Sequence, residues 1–456
     1  MIIHPNDNVE VNIKNGHKYA IRAIPKGGTV IKYGNPIGYA TENIAEGAWV
    51  HEHNMATTLA QRPTYHYEPI IACETKPCEE ITFTGYERSN GDVGIRNEVW
   101  IIVTVGCVNK IAARIAERTG AFAYTHPFGC SQLGNDQVIT QKVLCGLVNH
   151  PNCAAALVLG LGCENNNITE FKKVLGDYDP QRVKFLNCQD VGDEIEEGIR
   201  IIEELKKYAT TFRPTQIPIC KLRVGLKCGG SDGYSGITAN PLVGRFTDKL
   251  TSLGGSCIMT EVPEMFGAEH LLMQRCQNRD VFNKTVQLIN NFKDYYQRNK
   301  QPIYENPSPG NKEGGITTLE EKSLGCVQKG GSAIVTDVLD YGEYVTKPGL
   351  TLLNGPGNDL VAVTNLTAAG AHLILFTTGR GTPLGAPVPT VKIATNHQLS
   401  LRKPQWIDFD ASPILEGATL DSAFFSCILE VASGKETSNE RHNYREISIF
   451  KDGVTL

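Results

Sequence analysis

The spacing of apolar and polar positions changes character along this chain. Over residues 1–70, short pieces of alternating pattern, "DNVEVNI", "HKYAIRAI", "GGTVIKYG", "NPIGYATENI" and "GAWVHEHN", are divided by dense Gly, Pro and Asn. Such pieces predict a small all-β module. From residue 82 onward, continuous apolar runs take over: "EVWIIVTVGC", "AAALVLGLGC" and "RVKFLNC". Helical stretches follow them, "VNKIAARIAERTG", "ITEFKKVLGD" and "VGDEIEEGIRIIEELKKYAT". Buried strands alternating with amphipathic helices predict a parallel sheet covered on both faces. The pattern restarts at "KLRVGLKC" and runs on through "GSAIVTDVL", "GLTLLNG" and "AHLILFTTG", a second α/β region. Two proline-bearing stretches without periodicity, 65–80 and 211–220, read as linkers. The expected organisation is a multidomain chain: an all-β domain at 1–72, a linker at 73–82, and two α/β domains with Rossmann-like parallel sheets at 83–215 and 216–456.

Composition narrows the function classes. With 456 residues, 41% hydrophobic and 20% charged, the chain can build several cores of its own. A net charge of -5 argues against a general nucleic-acid or anionic-membrane surface, while leaving small anionic ligands open. No apolar run reaches the roughly 18 residues of a membrane span. The opening "MIIHPNDNVEVNIKNGHK" lacks the parts of a signal peptide, so a cytoplasmic location is expected. In a reducing compartment the 14 cysteines are expected to be free thiols, and no Cys-x-x-Cys pair occurs.

Most such cysteines are packing residues, but some stand where chemistry collects. In open α/β sheets, ligands bind beyond the carboxyl ends of the strands. Cys107, Cys163 and Cys228 each end an apolar strand, and Cys130 and Cys326 lie in similar Gly/polar loops. Thiolates suit iron and iron–sulfur clusters, although this spacing matches no compact cluster motif. The loop "CGGSDGYSGITANP" offers Ser231 and Asp232, and Lys312 and Arg380 are suitable partners for a substrate carboxylate. Glu261 and Glu264 read mainly as acids in a helix's first turn. Alternation puts His51 and His53 on one side of an extended "VHEHN", where two imidazoles could share an ion or simply face water. His17 and His126 are further candidates among the groups that titrate near neutral pH.

Taken together, these strings resemble one family nearly end to end. "DNVEV", "GHKYAI", "KYGNPIGYA" and "VHEHN" resemble the N-terminal β-clip (SAF) module of the altronate/galactarate dehydratases. "VGIRNEVWIIVTVGCVN", "GCSQLG" and "LGLGCENN" are similar to their second domain. "CGGSDGYSGITANPLVGRFTD", "TEVPEMFGAE", "NPSPGNKEGGITTLEEKSLGC", "TGRGTP" and "VPTVKIATN" are similar to their third. The family also includes a sulfolactate sulfo-lyase, an alternative activity here beside a non-catalytic sugar-acid or metal-binding protein. The resemblance implies loss of water from a hexonate or hexarate, aided by ferrous iron, manganese or an iron–sulfur cluster. Altronate would give 2-keto-3-deoxygluconate, and the His-x-His-Asn segment looks like the altronate branch. "TPLGAPVP" departs from that branch's pattern, which leaves galactarate or another sugar acid as an alternative substrate. On this reading His17, His51, His53 and His126 handle protons, with base and acid unassigned. Ser231, Asp232, Lys312 and Arg380 bind substrate. His51, His53, Cys107, Cys163 and Cys228 are the candidate metal ligands. A symmetric homo-oligomer is the general expectation for such an enzyme.

Overall fold

The computed structural model describes residues 1–59, 63–70 and 81–453. Its first six strands are short: β1 (Val9–Val11), β2 (Lys18–Ala20), β3 (Thr29–Lys32), β4 (Asn35–Ala40), β5 (Trp49–Val50) and β6 (Met55–Ala56). They pair antiparallel into two three-stranded sheets, ordered β1-β2-β5 and β3-β4-β6. Alternate residues point inward, as the period of a strand requires: Val9 and Val11, Lys18 and Ala20, Val30 and Lys32. Two of these inward residues are lysines, which demand a partner.

Seven further strands follow: β7 (Thr82–Glu87), β8 (Val93–Gly94), β9 (Glu98–Val103), β10 (Phe122–Tyr124), β11 (Cys153–Gly160), β12 (Val183–Asn187) and β13 (Pro214–Pro218). β10-β9-β11-β12 form a parallel sheet, and β11 is buried at every one of its eight residues. The remaining seven strands are β14 (Arg223–Cys228), β15 (Ser256–Met259), β16 (Val335–Leu339), β17 (Gly349–Leu353), β18 (Leu373–Thr378), β19 (Thr390–Ala394) and β20 (Phe409–Asp410). They make one parallel sheet in the order β16-β17-β15-β14-β18-β19-β20. A shared core crosses between the two parallel sheets, joining Trp100, Ile102 and Val158 to Leu366, Ile374 and Phe376. Another continues from the β-module's Val30, Ile37 and Val50 into Leu226, Val243 and Leu324.

Two local expectations are overturned. Residues 211–220 are not simply a linker, because β13 pairs antiparallel with β7, beside β8. Its two prolines sit at the ends of an edge strand, where a missing N–H costs no ladder bond. The boundary drawn at 215/216 falls inside this strand. The second correction concerns "VHEHN". β5 ends at Val50, and the His51 carbonyl accepts the N–H groups of Asn54 and Met55, so the segment is a turn. Strand alternation therefore does not govern His51 and His53. The expected linker at 73–82 lies outside the described residues through residue 80. Among the described residues, no helix is long and apolar enough to cross a membrane.

Candidate functional site

The β-module docks on the loop and helix between residues 311 and 326. The contact is backbone against backbone. A Cβ on Gly233 would stand 1.9 Å from the Gly16 carbonyl oxygen, and one on Gly315 would stand 2.5 Å from it. Only glycine permits this approach. The inward lysines find their partner here. Glu321, on the helix Leu319–Cys326, takes Lys18 at 2.7 Å and Lys32 at 2.8 Å, and also accepts the Thr317 N–H at 2.8 Å. All three charged side chains are buried. Burial disfavours the carboxylate's charge, but the two ammonium groups outweigh it and hold Glu321 at about 2. Burial wins at Lys18, which falls to about 8, while Glu321 keeps Lys32 above its ordinary value.

The histidines gather around Trp49. His51 stacks on the indole with ring centroids 5.1 Å apart, His53 tilts against it at 5.0 Å, and His17 meets it edge-on at 5.4 Å. The indole N–H donates to His17 Nδ1 at 3.3 Å. Because Trp can only donate, Nδ1 is the unprotonated nitrogen of His17. His51 Nδ1 bonds the Thr317 hydroxyl at 2.8 Å, and Lys18 Nζ donates to that same oxygen at 2.6 Å. Burial, then the Lys18 charge, lowers His51 to about 4, so it is neutral at physiological pH. Burial and Lys18 also lower His17. His53 is exposed.

The proposed substrate groups lie on the facing loops. Lys312 pairs with Glu52 at 2.6 Å and Arg380 with Glu313 at 2.7 Å, all four at least one-third exposed. They form a charged rim beside His17 and His51. Asp232 is different. It is buried, and its carboxylate accepts from Thr395, Asn396, Ser235 and the Tyr234 N–H at 2.9–3.1 Å. These bonds brace the glycine loop. The Ser231 carbonyl is held by Asn311 Nδ2 at 2.8 Å.

Deeper, beyond the carboxyl end of β14, lies a cluster only half-legible in the sequence. Cys228 Sγ stands 3.3 Å from Cys326 Sγ, and the two thiols reach Glu264 Oε2 at 3.1 and 3.2 Å. Among the described residues, this is the group of three possible metal ligands whose atoms lie within 4.8 Å of one another. Lys329 donates to Cys228 Sγ at 2.8 Å, and Lys322 pairs with Glu264 at 2.9 Å. Lys227 bridges Glu261 and Asp359. Burial raises Glu261, reinforced by the Glu264 charge, whereas at Glu264 three lysines overcome burial and hold the carboxylate low. Glu261 also adopts a left-handed φ of 70°. A non-glycine residue pays about 1–3 kcal/mol for such a conformation, a strain that clusters at functional sites.

With this arrangement in hand, the chain was compared with known proteins. The family profile described as D-galactarate/altronate dehydratase, C-terminal, matches residues 219–455. The profile of the D-galactarate dehydratase/altronate hydrolase second domain matches 85–210, and that of the altronate/galactarate dehydratase SAF domain matches 6–58. The chain belongs to the D-galactarate/altronate dehydratase family. It is 51% identical to an altronate dehydratase of Escherichia coli over 98% of this chain and 93% of that protein. It is 50% identical to one of Bacillus subtilis, with the same coverage. Identity to the galactarate dehydratase (L-threo-forming) of Escherichia coli is 34%, over 96% of this chain and 90% of that protein.

In this member of the family, the five expected metal ligands do not share one place. Thr318 caps the helix that ends at Cys326, so the His51 partner Thr317 and the thiol pair are separated by roughly 12 Å of helix. Cys107 and Cys163 lie at the end of the other parallel sheet. His126 is there too, with both ring nitrogens engaged by backbone groups. It is buried, its Nε2 bonds the Val103 carbonyl at 2.9 Å, and its Nδ1 accepts the Phe128 N–H at 3.1 Å. Burial lowers it to about 4. Sequence reading missed Lys227, Lys322 and Lys329. One signal was available: Lys227 interrupts an otherwise apolar strand, and Lys322, Cys326 and Lys329 follow the i, i+4, i+7 spacing of one helix face.

Proposed function

We propose that this protein is a sugar-acid dehydratase that converts D-altronate to 2-keto-3-deoxygluconate and water. The observation that carries this reading is full-length identity of 51% and 50% to two altronate dehydratases, against 34% to a galactarate dehydratase. Lys312 and Arg380 bind the substrate carboxylate at the rim, displacing their present glutamate partners. His51, neutral and anchored through Thr317 to Lys18, exchanges a proton with substrate, and Trp49 and His17 fix its ring. Asp232 and Ser231 hold the loop that carries Cys228. His53 stands at the entrance. His126 holds a turn.

Ferrous iron fits the buried Cys228, Glu264 and Cys326. Two thiols and a carboxylate suit a borderline metal better than manganese, which favours oxygen donors. When bound, such an ion supplies Lewis-acid stabilisation of developing negative charge. The domain division at 1–72, 83–215 and 216–456, a cytoplasmic location and a symmetric homo-oligomer belong to the same reading. Anaerobically purified protein supplied with ferrous iron should form a 2-keto-3-deoxy acid from D-altronate faster than from galactarate. Absence of turnover on any aldonate or aldarate refutes the reading, and sulfite release from sulfolactate would replace it.

A further inference from the structure

Lys18 is a buried ammonium whose three N–H donors are all engaged. Its Nζ donates to the Gly315 carbonyl at 3.1 Å, to the Thr317 hydroxyl at 2.6 Å and to Glu321 at 2.7 Å. An ammonium has no lone pair to offer, so the Thr317 oxygen accepts from it. The single Thr317 hydroxyl hydrogen remains to be placed, on a side chain that is itself buried. Among the described residues, the other partner of this oxygen is His51 Nδ1 at 2.8 Å. Buried hydroxyls are normally satisfied, and here an unprotonated Nδ1 is what satisfies it. His51 is neutral, held at about 4 by burial and then by the Lys18 charge, so its ring hydrogen is on Nε2. Among the described residues Nε2 has no hydrogen-bond partner.

The charges behind the hydroxyl are arranged so that one proton can leave. Glu321 is shared by Lys18 and Lys32, which gives the buried triad a net positive charge. Loss of a proton from Lys18 leaves the neutral pair Lys32–Glu321, and an uncompensated buried charge is strongly disfavoured. The two lysines differ accordingly. Burial brings Lys18 down to about 8, whereas Lys32, although buried, is kept above its ordinary value by Glu321 and Tyr33. The other charged groups on this side lie at the rim: Glu52 is paired with Lys312, and Glu313 with Arg380. The His17 ring stands 5.8 Å from that of His51.

We propose that Lys18, Thr317 and His51 form a proton relay that makes His51 the acid of the dehydration. This rests on the dehydratase reading above. As the C–O bond breaks, its electron pair leaves with the oxygen, and His51 Nε2 gives that oxygen its hydrogen, forming water. Nδ1 takes the Thr317 hydroxyl hydrogen, and the Thr317 oxygen takes one from Lys18 Nζ. His51 ends neutral as the other tautomer, Thr317 ends as a hydroxyl, and Lys18 ends as an uncharged amine. The hydrogen on the carbon beside the carboxylate goes to a separate base. Solvent then returns a proton to Nε2 and the chain runs back. No imidazolium is needed, which the Lys18 charge disfavours. Lys18 and Thr317 act through His51 and are positioning residues. None of the three belongs to the Cys228–Glu264–Cys326 group.

Nitrogen-15 NMR of the full chain with labelled histidine, and His51→Gln to assign the signal, reads the tautomer without substrate. Hydrogen on Nε2 is expected, and hydrogen on Nδ1 would overturn the proposal. The kinetic arm follows D-altronate turnover with ferrous iron present. Thr317→Val, which keeps the shape and removes the hydroxyl, should lower kcat about 10²-fold or more with little change in KM. Thr317→Ser should restore most of it. Because the relay must start protonated, kcat of the parent should fall as pH rises through about 8. Lys32→Met removes a neighbouring positive charge, so Lys18 holds its proton more tightly and this alkaline limb should move to higher pH. A merely structural Lys32 would leave the limb in place. Hydrogen exchange over Lys18–Ala20 checks that the β-module stays docked in each variant. Unchanged kcat in Thr317→Val, or an unmoved limb in Lys32→Met, overturns the relay. Absence of turnover on every sugar acid refutes the dehydratase reading and the relay's role with it. A His51 protonated on Nδ1 in a chain that does dehydrate D-altronate refutes the relay alone.

Discussion

Replacing Glu321 with glutamine should release the β-module from the rest of the molecule. The side chain is 1% exposed and is the shared counter-charge of Lys18 and Lys32. The triad carries one net positive charge as it stands, and Glu321→Gln leaves two buried ammonium groups facing each other. Removing one partner of a buried ion pair typically costs about 3–5 kcal/mol. The structure gives a second route to the figure. A carboxyl held at about 2 instead of 4.5 represents about 3 kcal/mol of stabilisation of its charged form. At about 1.4 kcal/mol per decade, the opening equilibrium should shift roughly 100-fold. Hydrogen exchange with mass spectrometry at pH 7 reads this directly, as faster exchange in Lys18–Ala20 and Thr29–Lys32 with the seven-stranded sheet unchanged. Lys32→Met is the discriminating control, because it leaves a neutral Lys18–Glu321 pair and should cost far less. A sign follows for pH. A depressed carboxyl contributes fully above its unfolded value and loses that contribution as pH falls through the folded one. The parent module should therefore loosen between pH 4.5 and about 2, and the Gln variant should lack this acid-dependent component. Unchanged exchange in Glu321→Gln, or an equal effect of Lys32→Met, would refute the electrostatic account of docking.

Other expectations follow from the same geometry. His51→Ala should lower kcat on D-altronate by about 10²–10⁴, the range for a proton-transfer group, with circular dichroism unchanged. Normal kcat would remove His51 from the chemistry. His126→Ala should instead leave kcat near normal and cost about 1–3 kcal/mol in urea unfolding, since it strands the Val103 carbonyl. Arg380→Ala should raise KM about tenfold or more with little change in kcat, as expected when binding is lost equally in ground and transition states. Cys326→Ser should weaken ferrous binding at the buried group at least about tenfold by equilibrium dialysis, in protein whose exposed thiols have been blocked.

Much of this architecture was written in periodicity. The runs ending at Cys107, Cys163 and Cys228 are strands β9, β11 and β14 or their immediate exits, because a strand buried on both faces must be apolar throughout. The linker reading of 211–220 failed because two prolines outweighed the strand-compatible "TQI" between them. Local pattern cannot announce an edge partner 130 residues away. For the same reason the site was only partly legible. Cysteines at strand exits are visible as such, yet which thiols meet depends on which sheet each exit joins. Cys228 meets Cys326 across 98 residues, and the Lys18 partner, Glu321, is about 300 residues distant. Separations of that size are set by topology alone.

The sorting of the cysteines into two groups follows from charge as well as position. Around Cys228 and Cys326 stand Lys227, Lys322 and Lys329 with Glu261, Glu264 and Asp359, all joined by ion pairs or by the bond from Lys329 to sulfur. Those six ionised groups balance, so the site is neutral while both thiols keep their protons. Deprotonating both thiols leaves an excess of two negative charges in a buried setting, where unpaired charge is expensive. A divalent cation restores the balance, and metal ligation is what deprotonates thiols. The lysines therefore do not argue against a metal here. They neutralise the carboxylates that would otherwise draw any cation indiscriminately, leaving the charge of the site to be decided by sulfur. Cys107, Cys130 and Cys163, by contrast, lie open to solvent.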